Sequence, residues 1–229
     1  MDAMPASDAL SAVLVFTRTT DYRHDSIPAG VAALRELGDA HGFAVEASED
    51  PAVFTDAALA GRSAVVFLST SGEVLDPAGR EALRRYLASG GGFMGVHSAS
   101  CTEEDWPWFG GLLGARFARH PEPQPAVVTV EDRTHPATAH LPHQWRWSDE
   151  WYDFRTNPRP DVHVLASVDE SGYRGGGMGA DHPLVWCHPH GGGRAFYTAL
   201  GHAAEAYADP DFRRHLLGGL TWAAGADAR

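Results

Sequence analysis

Short apolar runs alternate with helical segments over the first hundred residues, and this alternation constrains the fold more than any other feature. Residues 12–16, 63–68 and 93–97 are short and largely apolar, as expected for strands buried on both faces of a sheet. Between them, residues 26–41 and 76–87 repeat apolar side chains at helical spacing. This order predicts an α/β fold with a parallel, doubly wound sheet, in which ligands bind beyond the carboxyl ends of the strands.

The size and charge of the chain exclude several classes of protein. Its 229 residues, 44% hydrophobic and 21% charged, suit one globular domain, which we place at residues 1–229 with its core at about 12–225. The formal net charge is −12, and all 18 basic residues are arginine. Without lysine there is no Walker-type phosphate loop and no Schiff base, and an acidic surface repels nucleic acid. No glycine-rich run has the dinucleotide-binding pattern, so we expect no nucleotide cofactor and no nucleic-acid partner.

The location of the protein is predicted from what its sequence lacks. No run reaches the roughly 20 apolar residues that span a membrane, and the N-terminus lacks the basic start and apolar stretch of a signal peptide. Cys101 and Cys187 lie far apart without a CxxC spacing, so nothing indicates a secreted disulfide scaffold. We therefore expect a cytoplasmic protein with no membrane partner.

The rest of the chain surrounds an irregular aromatic segment. Residues 131–161 are rich in loops and aromatic side chains, and so long a loop in a compact domain usually serves function. We expect a β-hairpin and an aromatic flap over the active site there. Further strands are predicted at 43–47, 126–130, 162–168, 184–188 and 193–198, and helices at 106–117 and after Asp209-Pro210.

The turn after the strand at 93–97 is the most informative site candidate. A strand that runs through a sharp turn into a helix exposes the side chain at the turn, and that residue here is His97. Ser98 follows and could donate a hydrogen bond or cap the helix. The plainer alternative is that His97 is a hydrogen-bonded turn residue with no part in chemistry.

An ordered set of short motifs resembles the trehalose-utilisation (ThuA-like) family. The motifs are Arg23-His24-Asp-Ser-Ile27, Gly91 to His97, Phe117 with His120-Pro121, His135-Pro136, Asp149-Glu-Trp-Tyr152, Pro183-Leu-Val-Trp186 and Gly193-Arg-Ala-Phe-Tyr-Thr-Ala-Leu-Gly-His202. The resemblance covers nearly the whole chain, from about Val13 to Gly225. It implies a flavodoxin-like three-layer sandwich of the class I glutamine amidotransferase type, with a mostly parallel central sheet and helices on both faces.

The sequence also departs from the amidotransferase pattern. In that pattern the turn residue is a cysteine nucleophile and a His-x-Glu pair follows a late strand. Here His97 holds the turn, and His202 is followed by Glu205 at the wrong spacing. Imidazole does not readily replace a thiolate in attack on an amide, so we expect no glutaminase activity. Cys101 lies beyond the turn and is predicted to be a small packed residue.

Three histidines are predicted to converge at the ligand-binding edge of the sheet. His24 follows the first strand, His97 the strand at 93–97 and His202 a late strand. The fold implied by the resemblance places these strands near one another. Imidazole binds divalent metals and moves protons near neutral pH. We therefore assign His24, His97 and His202 catalytic roles or the binding of one divalent ion, with Zn, Mn, Fe and Ni as the candidates.

The aromatic segment supplies a carboxylate and candidate sugar contacts. Glu150 lies among three tryptophans, where burial would raise its pKa and suit it to general acid or base catalysis. Aromatic rings stack on the apolar faces of sugars, although the same rings can form a small core or a dimer contact. The candidate substrate-binding residues are Tyr152, Trp151, Ser98, His120 and His182.

Two functions are compatible with these residues. The resemblance implies disaccharide catabolism by a lyase, hydrolase or isomerase that acts on a 3-keto-glycoside or a derived keto-sugar through His/Glu acid–base chemistry, with or without a metal. The alternative is a non-catalytic sugar-binding or regulatory domain that holds carbohydrate through Trp145, Trp147 and Trp151. An exposed tryptophan patch would also favour a homodimer.

Overall fold

The computed structural model describes residues 10–226, in which strands and helices alternate first and strands dominate later. The strands are β1 (Ala12–Phe16), β2 (Ala44–Ser48), β3 (Ala64–Leu68), β4 (Gly92–Val96), β5 (Phe117–Arg119), β6 (Gln124–Val130), β7 (Gln144–Asp149), β8 (Asp153–Phe154), β9 (His163–Val168), β10 (Pro183–His190) and β11 (Gly193–Thr198). The helices are α1 (Ile27–His41), α2 (Asp56–Leu59), α3 (Pro77–Ala88), α4 (Pro107–Leu113) and α5 (Pro210–Ala223).

Among these residues, nine strands form one sheet in the order β2-β1-β3-β4-β11-β10-β9-β6-β7. The half from β2 to β11 is parallel, and the half from β11 to β7 continues in antiparallel pairs. The predicted α/β fold, a flavodoxin-like sandwich with helices packed on its central sheet, is confirmed. Seven of the nine strands point the same way, so the carboxyl ends of β1, β4, β11 and β7 lie at one edge.

The central strands are continuous apolar runs because both of their faces are covered. Every residue of β3 and β4 is buried, including Val66, Phe67 and Phe93 at 0% exposure. Burying one such side chain contributes roughly 1.5–3 kcal/mol relative to leaving it in water. At Gly92 a Cβ atom would lie 2.5 Å from the carbonyl oxygen of Ala223, so glycine lets the end of α5 pack directly on β4.

Helix starts follow the sequence signals with one exception. Asp76 accepts a hydrogen bond from the Gly79 N–H at 2.7 Å and caps α3, as expected. Ser26 precedes α1 but makes no side-chain cap; its hydroxyl lies 3.4 Å from the Gly201 carbonyl oxygen and ties α1 to the loop that carries His202. None of the helices between residues 10 and 226 combines the length and apolar character needed to cross a membrane.

Two strands within the segment predicted as an aromatic flap are paired with other parts of the chain. β7 pairs with β6 at the edge of the main sheet, and β8 pairs with β5 in a separate two-stranded sheet. The short stretch between β7 and β8 carries Glu150 and Tyr152. Their backbone positions are therefore set by two sheets rather than by a free loop.

Candidate functional site

Four side chains from four separate segments meet at the carboxyl edge of the sheet. His24 follows β1, His97 follows β4, Glu150 follows β7 and His202 follows β11. One ligand atom of each lies within 4.8 Å of the others. The structure thus brings together the three histidines that the sequence singled out and adds Glu150 to them. We call this group the His/Glu cluster.

The spacing inside the His/Glu cluster matches that of ligands around one metal ion. His24 Nε2 lies 3.1 Å from His97 Nε2, and Glu150 Oε2 lies 3.4 Å from His97 Nε2 and 3.2 Å from His202 Nδ1. The longest of these distances, from His24 Nε2 to Glu150 Oε2, is 4.0 Å. Ligands bound to zinc at about 2.0–2.1 Å in tetrahedral geometry are about 3.3 Å apart.

Two polar atoms of the cluster are buried without a directed hydrogen bond. Glu150 Oε2 and His202 Nδ1 have no hydrogen-bond partner within residues 10–226, although the two atoms are only 3.2 Å apart. Buried polar groups are nearly always hydrogen-bonded, so such a pair calls for an explanation. A cation held between them would satisfy both atoms.

The tautomer of His97 follows from its neighbours. Its Nδ1 lies 2.7 Å from the carbonyl oxygen of Ala199, which can only accept, so Nδ1 carries the proton. Nε2 therefore keeps its lone pair and faces His24 and Glu150. A ring N–H donated to a backbone carbonyl is the arrangement that orients metal-binding histidines.

His24 is buried and held from behind by Ser98. Burial is the main cause that lowers the pKa of His24, and it outweighs the opposing influence of Glu150. The Ser98 hydroxyl lies 3.3 Å from His24 Nδ1 and is itself buried. Ser98 thus orients the His24 ring, which leaves Nε2 for the cluster.

The prediction that burial raises the pKa of Glu150 above its ordinary value is wrong. Burial does raise it, but the imidazoles of His202, His24 and His97 surround the carboxylate and bring its pKa below the ordinary value. In return, Glu150 is the main cause that raises the pKa of His202. Glu150 is therefore a carboxylate at neutral pH, suited to bind a cation or accept a proton.

Asp149 positions the cluster; it begins the Asp149-Glu-Trp-Tyr152 motif, but its place in the sequence did not predict this role. Its Oδ2 accepts from the Gly201 N–H at 2.9 Å, and its Oδ1 accepts from the N–H groups of His202 at 3.2 Å and Glu150 at 2.9 Å. The indole of Trp147 donates to it as well. One carboxylate thus joins the end of β7 to the loop after β11 and sets Glu150 opposite His202.

The family match covers nearly the whole chain. The sequence matches the family described as ThuA, trehalose utilisation, over residues 12–223. The chain belongs to the ThuA family. No curated protein matches its sequence.

Solved structures share the fold of this ThuA-family chain. A putative ThuA-like protein from Bacteroides uniformis is 24% identical, with 97% of this chain and 94% of that one covered and a TM-score of 0.77. One from Parabacteroides merdae is 22% identical over 94% and 90%, with a TM-score of 0.76. A Salmonella typhimurium protein described as cytoplasmic is 10% identical over 93% and 99%, with a TM-score of 0.63.

Tyr152 and His120 border the His/Glu cluster in this ThuA-family chain. The Tyr152 hydroxyl lies 2.9 Å from His97 Nε2, and burial raises the pKa of Tyr152 well above its usual value, so the phenol keeps its proton. His120 Nδ1 lies 2.9 Å from the Pro121 carbonyl oxygen and 3.6 Å from Glu150 Oε1. The side chain of His120 is 34% exposed, so it faces both the cluster and solvent.

His182 lies behind Tyr152 and is fully buried. Its Nε2 lies 2.8 Å from the Tyr152 carbonyl oxygen, and its Nδ1 lies 2.8 Å from Glu170 Oε1. Both ring nitrogens are therefore engaged by oxygen atoms of the protein. The structure places His182 as a support of the segment that carries Glu150.

The tryptophans proposed as a sugar-stacking surface belong mostly to the core. Trp145 is 6% exposed and Trp151 is fully buried against Tyr173. Trp147 is half-buried and packs on Phe212. None of the seven tryptophans is exposed, so the patch that would have favoured a homodimer is absent from residues 10–226.

Cys101 lacks the character of an amidotransferase nucleophile. Burial is the main cause that raises the pKa of the Cys101 thiol to about 12, so almost none is thiolate at neutral pH. Neither Cys101 nor Cys187 forms a disulfide. The turn position itself is held by His97, so neither His97 nor Cys101 offers the thiolate that glutamine hydrolysis needs.

Cavity volume alone does not identify the functional site. A cavity of about 950 Å³ lies at the opposite edge, where Ser11, Ser63 and Gly91 flank the amino ends of β1, β3 and β4. No histidine or cysteine lines it. The His/Glu cluster is therefore the better candidate of the two, because it combines convergent ligand atoms with perturbed pKa values.

Proposed function

We propose that this ThuA-family chain is a metal-assisted enzyme of disaccharide catabolism that acts on a 3-keto-glycoside or a derived keto-sugar. The family description, trehalose utilisation, supports the carbohydrate class. The His/Glu cluster supports the chemistry, because three imidazoles and one carboxylate form a donor set that suits Zn, Mn, Fe or Ni. The likeness to a Salmonella protein described as cytoplasmic supports a cytoplasmic location.

The proposal depends on two buried atoms of the His/Glu cluster that lack a directed hydrogen bond. Glu150 Oε2 and His202 Nδ1 are buried 3.2 Å apart without a directed hydrogen bond inside residues 10–226. His97 Nε2, which the Tyr152 hydroxyl approaches at 2.9 Å, lies 3.4 Å from the same Glu150 oxygen. Glu150 and His202 attract each other, yet neither atom has a directed hydrogen bond, so an arrangement of this kind suits the binding of a cation.

Chemistry next to a ketone requires a base for the α-proton and an electrophile for the resulting enolate. A divalent ion supplies that electrophile when it is bound. Tyr152 keeps its proton, and its hydroxyl, which lies 2.9 Å from His97 Nε2, would donate a hydrogen bond to the enolate oxygen when an ion occupies that nitrogen. The Pro121 carbonyl oxygen accepts a hydrogen bond from His120 Nδ1, so His120 Nε2 keeps its lone pair and can act as the base. Elimination and isomerisation of a keto-sugar both begin with this proton removal.

Elemental analysis and turnover together test the proposal. Tag-free protein is purified after growth with each candidate metal, and 3-keto-trehalose is offered to the loaded enzyme. We expect about one metal ion per chain in the wild type, with metal and turnover both lost in His97→Ala and Glu150→Gln. His41→Ala, an exposed histidine at the end of α1, is the matched control and should retain both.

The outcomes separate the two functions that the sequence allowed. A wild type that takes up no metal under any supplementation contradicts the metal-assisted reaction. A loaded wild type that binds trehalose but turns over no keto-sugar indicates a sugar-binding or regulatory domain. Of the three rings on which that alternative relied, Trp145 and Trp151 are buried and Trp147 is half-buried.

A further inference from the structure

The side chain of Tyr22 is exposed beside the His/Glu cluster. It is 64% exposed, the one large hydrophobic side chain that is exposed among residues 10–226. Its ring contacts the ring of His24 at a centroid distance of 4.8 Å and an interplanar angle of 80°. Most of the phenol surface is thus open to solvent within contact distance of a cluster residue.

The loop that carries Tyr22 is anchored on both sides of the ring. The Ser71 hydroxyl donates to the Tyr22 carbonyl oxygen at 2.6 Å, and the Thr20 N–H donates to the Ser71 carbonyl oxygen at 2.9 Å. The Arg23 guanidinium donates to the carbonyl oxygen of Thr17 at 3.1 Å. These bonds hold the backbone of the loop in place before any ligand arrives, so little backbone entropy is lost on binding.

The His/Glu cluster has buried members and partly exposed side chains beside them. His24, His97 and Glu150 are each less than a tenth exposed, whereas the His202 side chain is 26% exposed and that of His120 is 34% exposed. The exposed groups that border the cluster thus include one phenol ring and two imidazoles. A pyranose ring fits this border, since its apolar C–H face can cover an aromatic ring while its hydroxyls bond to imidazole nitrogens.

We propose that the Tyr22 ring is the stacking wall for a pyranose ring of the substrate, which makes Tyr22 a specificity-determining residue. It favours cyclic sugars over acyclic ketones because only a ring presents a flat apolar face to the phenol. The inference rests on the proposed function and adds to it a residue that no motif marked.

The test compares Tyr22→Ala and Tyr22→Phe with the metal-loaded wild type. Tyr22→Ala removes the ring and leaves roughly 50 Å² of apolar sugar surface in contact with water. We therefore expect about a tenfold rise in the KM for 3-keto-trehalose and in the Kd for trehalose. Tyr22→Phe keeps the face and should stay within twofold of the wild type. Dihydroxyacetone, a ketone without a pyranose ring, should bind all three proteins alike. Metal content is measured in each, because Tyr22 contacts His24.

Asp25→Ala, an exposed change in the same loop, is the control and should leave the KM unchanged. Equal KM values for the wild type and Tyr22→Ala at equal metal content would overturn the role of Tyr22 and leave the proposed function standing. A loaded wild type that neither binds trehalose nor converts 3-keto-trehalose would overturn both. Loss of affinity in Tyr22→Phe as well would show that the hydroxyl, not the ring face, makes the contact.

Discussion

At the turn after β4, His97 adopts a left-handed backbone conformation with φ of +53° and is completely buried. For a residue other than glycine this conformation costs about 1–3 kcal/mol, and it persists only where surrounding contacts require it. Here the Ala199 carbonyl holds the ring at 2.7 Å, and the Tyr197 hydroxyl donates to the His97 carbonyl oxygen at 2.8 Å. The strain is thus offset by contacts that aim one imidazole nitrogen at the cluster.

The role of Asp149 leads to a prediction at the same scale. Asp149→Asn replaces an acceptor oxygen by an NH₂ group and leaves buried N–H groups from Gly201, His202 or Glu150 without an acceptor. We expect a loss of about 2–4 kcal/mol in the free energy of unfolding and metal affinity reduced about 10–100-fold. Urea titration and competition with a chelator measure these two effects.

Asp161→Asn changes an exposed carboxylate and serves as the control for Asp149→Asn. Unchanged metal affinity in Asp149→Asn, with stability lowered, would mean that Asp149 supports the fold without positioning the cluster. Unchanged stability would contradict the importance of its hydrogen bonds altogether.

Among the elements, helix α5 links the sheet to the irregular second half of the chain. It packs on β4 and β11, and its His215 is fully buried between them and the turn at Ala137. His215 Nδ1 lies 2.9 Å from the Ala137 carbonyl oxygen, and Nε2 lies 3.1 Å from the Thr198 hydroxyl. Burial, with smaller contributions from His140 and His135, lowers the pKa of His215 to about 4.

This buried histidine predicts a pH dependence of stability. The unfolded chain binds a proton at His215 near pH 6.5, whereas the folded chain does so only near pH 4. The contribution of His215 is therefore complete above about pH 6.5 and is lost as the pH falls to about 4, a change of about 3 kcal/mol. In His215→Gln, the free energy of unfolding should fall less steeply across this window.

Urea unfolding between pH 4.5 and 7.5 measures the slope, with His41→Gln as the control at an exposed helix end. The slope should decrease by about 1.4 kcal/mol per pH unit in His215→Gln alone. An identical slope in both variants would show that other groups dominate the acid sensitivity of the fold.

On the scale of the whole molecule, the cluster joins parts of the chain that are distant in sequence. His24, His97, Glu150 and His202 follow four different strands of one sheet. An ion bound to all four exists only in the folded state, so binding stabilises the molecule through mass action. At a free metal concentration 100-fold above Kd, the gain is about 2.7 kcal/mol.

Thermal unfolding checks this linkage. For a chain of this size the gain corresponds to a rise in Tm of about 5–10 °C. The wild type should show the rise with the cognate ion, and Glu150→Gln should not. A rise of the same size in both proteins would place the bound ion elsewhere, and the absence of any rise in the wild type would contradict the site.

Much of the parallel half of the fold is encoded locally. The strands at 12–16, 63–68 and 93–97 and the helices that begin near Ser26 and Asp76 occur within one residue or so of their predicted bounds. Apolar periodicity, Asp-Pro starts and glycine stops act within a few residues, so a linear pattern reports them. The His97 turn was predicted for the same reason.

The antiparallel half and the chemistry of the cluster were decided by tertiary contacts. No local pattern distinguishes an antiparallel β10 or β6 from a parallel strand, because direction depends on which strand lies beside it. The pKa of Glu150 goes down rather than up because three imidazoles surround it in space, although tryptophans surround it in sequence. Residue types and turn positions can be predicted from the sequence; the sign of an electrostatic effect depends on distances that only the folded chain sets.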